Sequence, residues 1–272
     1  GKDAMKADGT VNRAALPAIF NPEDLNALEQ ALRIKDQFPG STITVLTMGP
    51  GRAADIIREG MFRGADDGIL LTDRAFAGSD TLATSYAISR AILKMGACDL
   101  IICGRQAIDG DTAQVGPQVA EKLNLPQITY VEQVIEMTEK SIVLKRRLDN
   151  GVETVKAPIP SVITVTSSAP NCRARNARMI MKFKHAKTVT ERQEENEDYL
   201  SLYNDRPYLN IQEMTVADVE VDAAQLGLSG SPTKVKKIEN VVLQASDAKK
   251  IENTDADINL LMKELIDNHT IG

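Results

Sequence analysis

Short apolar runs alternate with amphipathic stretches through the first half of the chain. The runs "STITVLTMG", "DGILLTD" and "CDLIICG" are almost continuously hydrophobic, which predicts strands buried on both faces, and a fourth strand is predicted at "QITYVEQVIEM". Apolar residues recur at helical spacing in "NPEDLNALEQALRIKDQF", "RAADIIREGMFRGAD", "DTLATSYAISRAILKMG" and "DTAQVGPQVAEKLN". This alternation over short connections predicts an α/β fold with a doubly wound, mostly parallel sheet.

Residues that favour helix ends agree with these boundaries. Asn21 is a candidate N-cap followed by Pro22 at the first helical position, and Asp80 is a candidate N-cap for the third helix. Gly64 and Gly96 stand where the second and third helices should end, because glycine readily adopts the positive φ of a helix C-terminus.

The pattern changes after residue 137. Alternating residues on either side of Asn150–Gly151 predict a hairpin, and "SVITVTS" predicts one more sheet strand. A basic stretch and an acidic stretch follow, and the rest is weakly periodic until a predicted final helix at "ADINLLMKELIDN". We therefore divide the chain into an α/β domain at 1–187 and an insertion with a C-terminal arm at 188–272. The arm has few apolar runs, so we expect it to need a partner surface.

Composition and charge argue against several classes of function. The net charge of −6 disfavours general nucleic-acid binding. No apolar run approaches the roughly 20 residues of a membrane helix, and the first residues, "GKDAMKADGT", do not resemble a secretory signal. We therefore expect no membrane insertion and a cytoplasmic location. With 3 cysteines that lack metal-ligand spacing and 2 histidines, a metal site or a histidine-based triad is disfavoured.

The loop "GRQAIDGDTAQVG", at residues 104–116, is the clearest candidate for a ligand site. It follows a parallel strand at its carboxyl end, where open α/β sheets bind ligands, and the next helix would offer free N–H groups to a phosphate. Asp109 and Asp111 would repel that phosphate, so we expect them to cap the helix, brace the loop or accept from ribose hydroxyls. The alternative is a simple N-capped turn. The sequence has neither a GxGxxG motif nor a Walker loop, which disfavours an ordinary Rossmann dehydrogenase and a P-loop NTPase.

At these residues the chain resembles the β subunits of electron-transfer flavoproteins. Their segment Gly-Lys/Arg-Gln-Ala-Ile-Asp-x-Asp, followed by Gln-x-Gly and Leu-Pro-Gln, matches "GRQAIDGDTAQVGPQVAEKLNLPQ". "NPED", "TMGP", "RGADDGILLTD" and "RLDNGVETVKAPIPSVITV" match in other places, and the resemblance resumes at "LGLSGSPTKV". The run "DGDTAQVGP", with Gly110 where ordinary members have a second acid, and "GSDTLATS" upstream are similar to the electron-bifurcating branch.

The resemblance implies an adenine-nucleotide-binding α/β fold. It also implies a cofactor in the β subunit, which in this family is FAD in the bifurcating branch and AMP in ordinary members. It implies an adenosine-side loop of Asn21, Pro22, Glu23 and Asp24, with Met48 beside the adenine. It implies a ribose and phosphate loop of Gly104, Arg105, Gln106, Ala107, Ile108, Asp109, Gly110, Asp111, Thr112, Ala113, Gln114 and Val115. Residues near the flavin would be Asp80, Thr81 and Thr84, for which a capped helix is the alternative interpretation.

The resemblance also implies partners. An electron-transfer flavoprotein α subunit with its own FAD would complete a heterodimer. Electrons from NADH or an acyl-CoA dehydrogenase would then pass to flavin, ferredoxin or flavodoxin acceptors, by bifurcation. The flavin carries the chemistry, so we assign no catalytic residue and no metal. An AMP-binding structural β subunit and a non-redox adenine-nucleotide-binding module are the alternatives.

Two departures from the family pattern bear on these expectations. The family begins with an apolar strand followed by Lys-Gln-Val-Pro, and we expect this strand to be missing because the chain starts at Gly1 without it. The sheet would then lack a strand and the adenine pocket one wall. The second departure is a basic segment, which we expect to face an acidic redox partner rather than form only a solvated surface. Its charged members are Arg173, Arg175, Arg178, Lys182 and Lys184.

Overall fold

The computed structural model describes residues 18–108, 110–194, 200–233, 250–268 and 270–271. In this part of the chain, helices α1 to α8 are Pro22–Gln37, Ala54–Arg63, Thr81–Met95, Val115–Leu123, Ala177–Phe183, Val189–Glu194, Leu200–Asp205 and Asp255–Asp267. Strands β1 to β8 are Thr44–Met48, Asp67–Leu71, Leu100–Gly104, Gln127–Met137, Ser141–Leu148, Gly151–Pro158, Ser161–Val165 and Gln212–Met214. No helix among the described residues is long and apolar enough to cross a membrane.

The chain divides into two compact units, Gly1–Lys234 and Val235–Gly272. The first unit alternates strands and helices, which confirms the predicted α/β class. The second contains α8, which begins after Thr254, whose hydroxyl accepts a hydrogen bond from the backbone N–H of Asp257 at 3.3 Å. The sequence pattern groups residues 188–233 with the C-terminal arm. In the structure, the described part of 188–233 packs within the first unit.

Most predicted helix ends agree with the structure. Helix α1 begins at Pro22, and α3 follows Asp80, whose carboxylate accepts from the first-turn N–H groups. Gly64 and Gly96, with φ of 126° and 96°, end α2 and α3. The predicted start of α4 at Asp111 is wrong. This helix begins at Val115, because the preceding residues form a loop with positive φ angles.

The strands form two sheets. Parallel pairing joins β1, β2 and β8 in the first, in that order. The second has the order β3-β7-β4-β5-β6, parallel as far as β4 and antiparallel in the β5–β6 hairpin that the sequence predicted. Strand β7 is paired on both sides and is buried throughout. By contrast, β1 and β3 pair on one side only within the described residues and are largely part-exposed.

Helices cover both faces of the first sheet, as in a doubly wound fold. Leu70 of β2 packs with Ile57 and Met61 of α2. Its neighbours Ile69 and Leu71 pack instead with Ala87 and Ala91 of α3. Successive side chains of a strand point to opposite faces, so one continuous apolar run supplies two core layers. A third core cluster lies between α1 and the strands β4, β5 and β7 of the second sheet.

Candidate nucleotide site

The loop that joins β3 to α4 is exposed and has an unusual backbone. Asp111 and Ala113 have φ angles of 23° and 52°, in the region that favours glycine. Such conformations persist only where neighbouring contacts hold them, and they occur often at binding sites. One such contact is present, because the side-chain amide of Gln106 donates to Asp111 Oδ1 at 2.7 Å. Asp111 therefore braces the loop, while Asp109 lies outside the described residues.

Within the described residues, helix α4 has no side-chain cap at its N-terminus. Its N-cap residue, Gln114, does not accept from the first-turn N–H groups. The Gln114 side chain is engaged elsewhere, since its Oε1 accepts from the Thr81 hydroxyl at 2.8 Å. Uncapped N–H groups and the positive end of the helix dipole attract an anion. Asp80 caps α3 with its own carboxylate, so α3 lacks this property.

The start of α1 holds the same loop from behind. The Glu23 carboxylate is buried, and it accepts from the Arg105 guanidinium at 3.1 and 3.2 Å and from the Gln106 N–H at 3.2 Å. It also accepts from the N–H of Ser167, which follows β7, at 3.3 Å. Asn21 donates to the Gln106 carbonyl at 2.9 Å. These contacts bring "NPED" and the loop together, and the Glu23 carboxylate faces protein groups.

Asp24 contacts the loop at Gly104. The Gly104 N–H donates to Asp24 Oδ1 at 2.6 Å, and a Cβ at this glycine would lie 2.7 Å from the Asp24 nitrogen. Glycine is therefore needed for the close approach of the two segments. Burial raises the pKa of Asp24, although the Gly104 N–H and the Asn21 amide oppose the shift. Burial, with the nearby Asp24, also raises the pKa of the Cys103 thiol to about 12, so this cysteine is not a thiolate at neutral pH.

One buried polar atom beside this junction has no partner in the described structure. It is Oδ1 of Asn21, whose amide nitrogen donates to both Asp24 and Gln106. An unpaired buried acceptor is costly, and a donor from a ligand would satisfy it. This arrangement fits an adenine nucleotide, whose exocyclic amino group is such a donor.

The other predicted residues occupy separate positions around the loop. Pro22 and the loop residues Ala107, Ile108, Gly110 and Thr112 are exposed, whereas Ala113 and Val115 are partly buried. Met48 ends β1 and packs against the cluster between β2 and α3. Thr84 donates its N–H to the Asp80 carbonyl in the first turn of α3. Only Thr81 of this helix has a hydrogen bond to the loop, among those in the described structure.

The structure brings residues to this region that sequence patterns did not suggest. Ser167 contacts Glu23, and Ser85 donates to Gln118 Oε1 at 3.0 Å, in parallel with the Thr81–Gln114 bond one turn earlier. Thr233 donates to Asp80 through its hydroxyl and its N–H. These contacts join residues that are far apart along the chain, so no local sequence pattern predicts them.

The basic segment is partly engaged within the protein. Arg173 binds Glu29 through two nitrogens at 3.0 and 3.2 Å and Asp36 at 2.9 Å, and Arg175 pairs with Glu59 at 2.9 Å. The ammonium of Lys182 lies 4.5 Å and 5.1 Å from the ring centroids of Phe183 and Tyr208. Arg178 and Lys184 are exposed, and no ion pair to either exists within the described residues.

Comparison with known proteins identifies the family of this chain. The chain matches the electron transfer flavoprotein domain over residues 8–193. It is 41% identical to the acryloyl-CoA reductase electron transfer subunit gamma of Anaerotignum propionicum, over 100% of this chain and 95% of that protein. It is also 41% identical to the electron transfer flavoprotein subunit beta of Megasphaera elsdenii, over 94% and 90% of the two chains.

A further relative is a subunit of another reductase complex. The caffeyl-CoA reductase-Etf complex subunit CarD of Acetobacterium woodii is 44% identical, over 64% of this chain and 66% of that protein. The domain match covers well over half of the chain, and the similarity to electron transfer flavoprotein β subunits extends over nearly all of it. The chain therefore belongs to the electron transfer flavoprotein family, among proteins similar to its β subunits.

Proposed function

We propose that this chain binds FAD and, with an electron-transfer flavoprotein α subunit, passes electrons between flavins by bifurcation. The observation that carries the proposal is the exposed loop 104–115, which leads into the uncapped N-terminus of α4 and is fixed from behind by Glu23 and Asp24. A diphosphate at this N-terminus would meet the N–H groups of Val115 and Gly116, since Pro117 has none, and the Thr112 hydroxyl. The unpaired Asn21 Oδ1 suits the adenine.

The choice of FAD over AMP is supported by the residues beside the phosphate position. Gly110 is exposed, and a Cβ there would meet no atom within 4 Å, so the loop leaves room for a longer ligand. Thr81 adds a second helix to the rim of the loop through its bond to Gln114. The second candidate function is that of a structural β subunit that binds only AMP. The same α4 N-terminus would hold the monophosphate of AMP.

Residues of this chain would act by placement rather than by covalent chemistry. When bound, FAD supplies the hydride and one-electron chemistry. The loop and the α1 start would hold the adenosine and diphosphate, so that the flavin end is directed to the surface shared with the α subunit. NADH or an acyl-CoA dehydrogenase would supply electrons, and ferredoxin or flavodoxin would accept them. Two relatives are subunits of acryloyl-CoA and caffeyl-CoA reductase systems, which supports a redox partner that acts on a CoA thioester.

The rest of the chain would serve these partners. Residues 188–272 would provide an insertion, whose described part packs within the first unit, and a C-terminal arm on the α subunit. Exposed apolar side chains on α8, among them Ile258, Leu260 and Ile266, support this role. Arg178 and Lys184 would meet an acidic redox protein. We place the heterodimer in the cytoplasm, in keeping with the free thiols of Cys98, Cys103 and Cys172.

The test is the nucleotide content of the heterodimer purified with its α subunit. Bifurcation requires about two FAD per heterodimer, whereas the alternative requires about one FAD and one AMP. A heterodimer without adenine nucleotide in this chain would contradict both. Thr112→Glu places a negative charge beside the phosphate position, so it should weaken retention, most strongly at low salt. Unchanged retention in this variant would refute the phosphate position at α4.

A further inference from the structure

Asp80 uses both carboxylate oxygens within the protein. Oδ1 accepts from the N–H groups of Leu82 and Ala83 at 2.9 and 3.1 Å, which caps α3. Oδ2 accepts from the hydroxyl and the N–H of Thr233 at 2.7 and 3.1 Å. Burial opposes ionisation of this carboxyl, but the Thr233 and first-turn donors hold its pKa below the ordinary value. A carboxylate with four donors in place is not free to bind a ligand.

The segment 226–233 is seated closely against the start of α3. The Asp80 N–H donates to Ser231 Oγ at 2.8 Å, and this buried hydroxyl donates to the Gly227 carbonyl at 2.6 Å. Gly227 has a φ of 54°, and a Cβ there would lie 2.4 Å from the Ala75 carbonyl oxygen. The close packing, the positive φ and the hydrogen bonds together fix the position of this segment against α3. Thr233 is the last described residue before the second unit begins at Val235.

The contacts continue from Asp80 to the candidate nucleotide site. Thr81, the next residue, donates to Gln114 Oε1, and Gln114 is the N-cap residue of α4. Thr233, Asp80, Thr81 and Gln114 therefore form a continuous series from the end of the first unit to the proposed phosphate position. Loss of one bond in such a series loosens the residues that follow it.

We propose that Asp80 and Thr233 are positioning residues of the nucleotide site, which hold the start of α3 against the α4 loop and do not contact the cofactor. This rests on the proposed function, because it assumes that the loop binds a nucleotide. The segment 226–233 is then part of the site's support, so a change at Thr233 affects ligand affinity although this residue contacts Asp80 and not the loop in the described hydrogen bonds.

The experiment compares Asp80→Asn and Thr233→Val in the full chain with its α subunit. Asparagine keeps an acceptor for the α3 cap but presents N–H groups to Thr233, and valine removes only the hydroxyl. We expect the Kd for FAD, or for AMP if AMP is the ligand, to rise about tenfold for Asp80→Asn and about threefold for Thr233→Val. The double variant should bind about as weakly as Asp80→Asn, because both substitutions remove the same contact.

Asp218→Asn is the matched control. Asp218 Oδ2 accepts from the N–H and hydroxyl of Thr215 at 2.8 and 2.7 Å, the same two contacts in a turn that has no hydrogen bond to the described residues of the loop. Its Kd should equal that of the parent. Parent affinity in both Asp80→Asn and Thr233→Val overturns the inference, even if their Tm falls. If Asp80→Asn does not fold, Thr233→Val alone decides. A parent protein that binds neither FAD nor AMP refutes the proposed function instead.

Discussion

The ion pair between Glu29 and Arg173 fixes the segment after β7 to helix α1. Glu29 is 4% exposed, and its carboxylate accepts from the Arg173 side chain, the Arg173 N–H and Arg33. Burial opposes ionisation of Glu29, but these donors prevail and lower its pKa from 4.5 to about 2. The pair therefore stabilises the fold whenever Glu29 is ionised.

The magnitude follows from this shift. At ~1.4 kcal/mol per pKa unit, a fall from 4.5 to about 2 corresponds to at most roughly 3.5 kcal/mol. Arg173 is 36% exposed, so water screens part of the attraction, and we expect about 2 kcal/mol. Glu29→Gln should lower the free energy of unfolding by this amount at pH 7. Arg173→Gln should cost about as much, because it leaves the buried carboxylate with fewer donors.

The pH dependence has a definite sign. The pKa of Glu29 is depressed in the folded state, so its contribution is complete above the unfolded pKa of about 4.5 and is lost as pH falls towards 2. Urea unfolding followed by circular dichroism, at intervals from pH 7 to the lowest pH at which the protein is folded, measures this. The parent should lose stability over that acid range, and Glu29→Gln should show a shallower decline.

Asp36→Asn is the control for this pair. Asp36 contacts the same guanidinium at 2.9 Å but is 61% exposed, so its loss should change stability by less than about 0.5 kcal/mol. The reasoning is refuted if Glu29→Gln is as stable as the parent at pH 7, or if Asp36→Asn is equally destabilising.

Two further predictions concern the loop support and the basic surface. Gly104→Ala should destabilise the chain by about 1–3 kcal/mol and weaken nucleotide binding, because its Cβ would collide with the Asp24 backbone. Gly51→Ala is the control and should be tolerated, because a Cβ at Gly51 meets nothing within 4 Å. An equal fall in Tm in the two variants would contradict the packing argument. Arg178→Glu with Lys184→Glu should slow electron transfer to an acidic partner and flatten its salt dependence. Two control variants should change the rate of electron transfer less: Arg173→Gln, because Arg173 is already paired within the protein, and Lys94→Glu, because it changes a charge elsewhere. If the parent and all variants show the same dependence of rate on salt, this surface does not dock the partner.

The sequence by itself determined the elements whose causes are local. Pro22, Asp80, Gly64 and Gly96 mark helix ends because a cap depends on residues within one turn, and the structure places the ends there. Asn150–Gly151 marks the hairpin for the same reason, since a tight turn constrains only its own dihedral angles. The loop and "NPED" were also predicted to bind the nucleotide, but only through resemblance to a family.

Tertiary structure decided which distant groups meet. Strand β8 has three residues, too few for a recognisable alternation, and it forms only because β2 offers an edge for pairing. The start of α4 was misplaced because its loop conformation depends on contacts such as Gln106 with Asp111. Glu23 and Ser167 lie 144 positions apart, and Asp80 and Thr233 lie 153 apart. A carboxylate accepts from any donor with suitable geometry, so its partner is chosen by how the strands and helices pack.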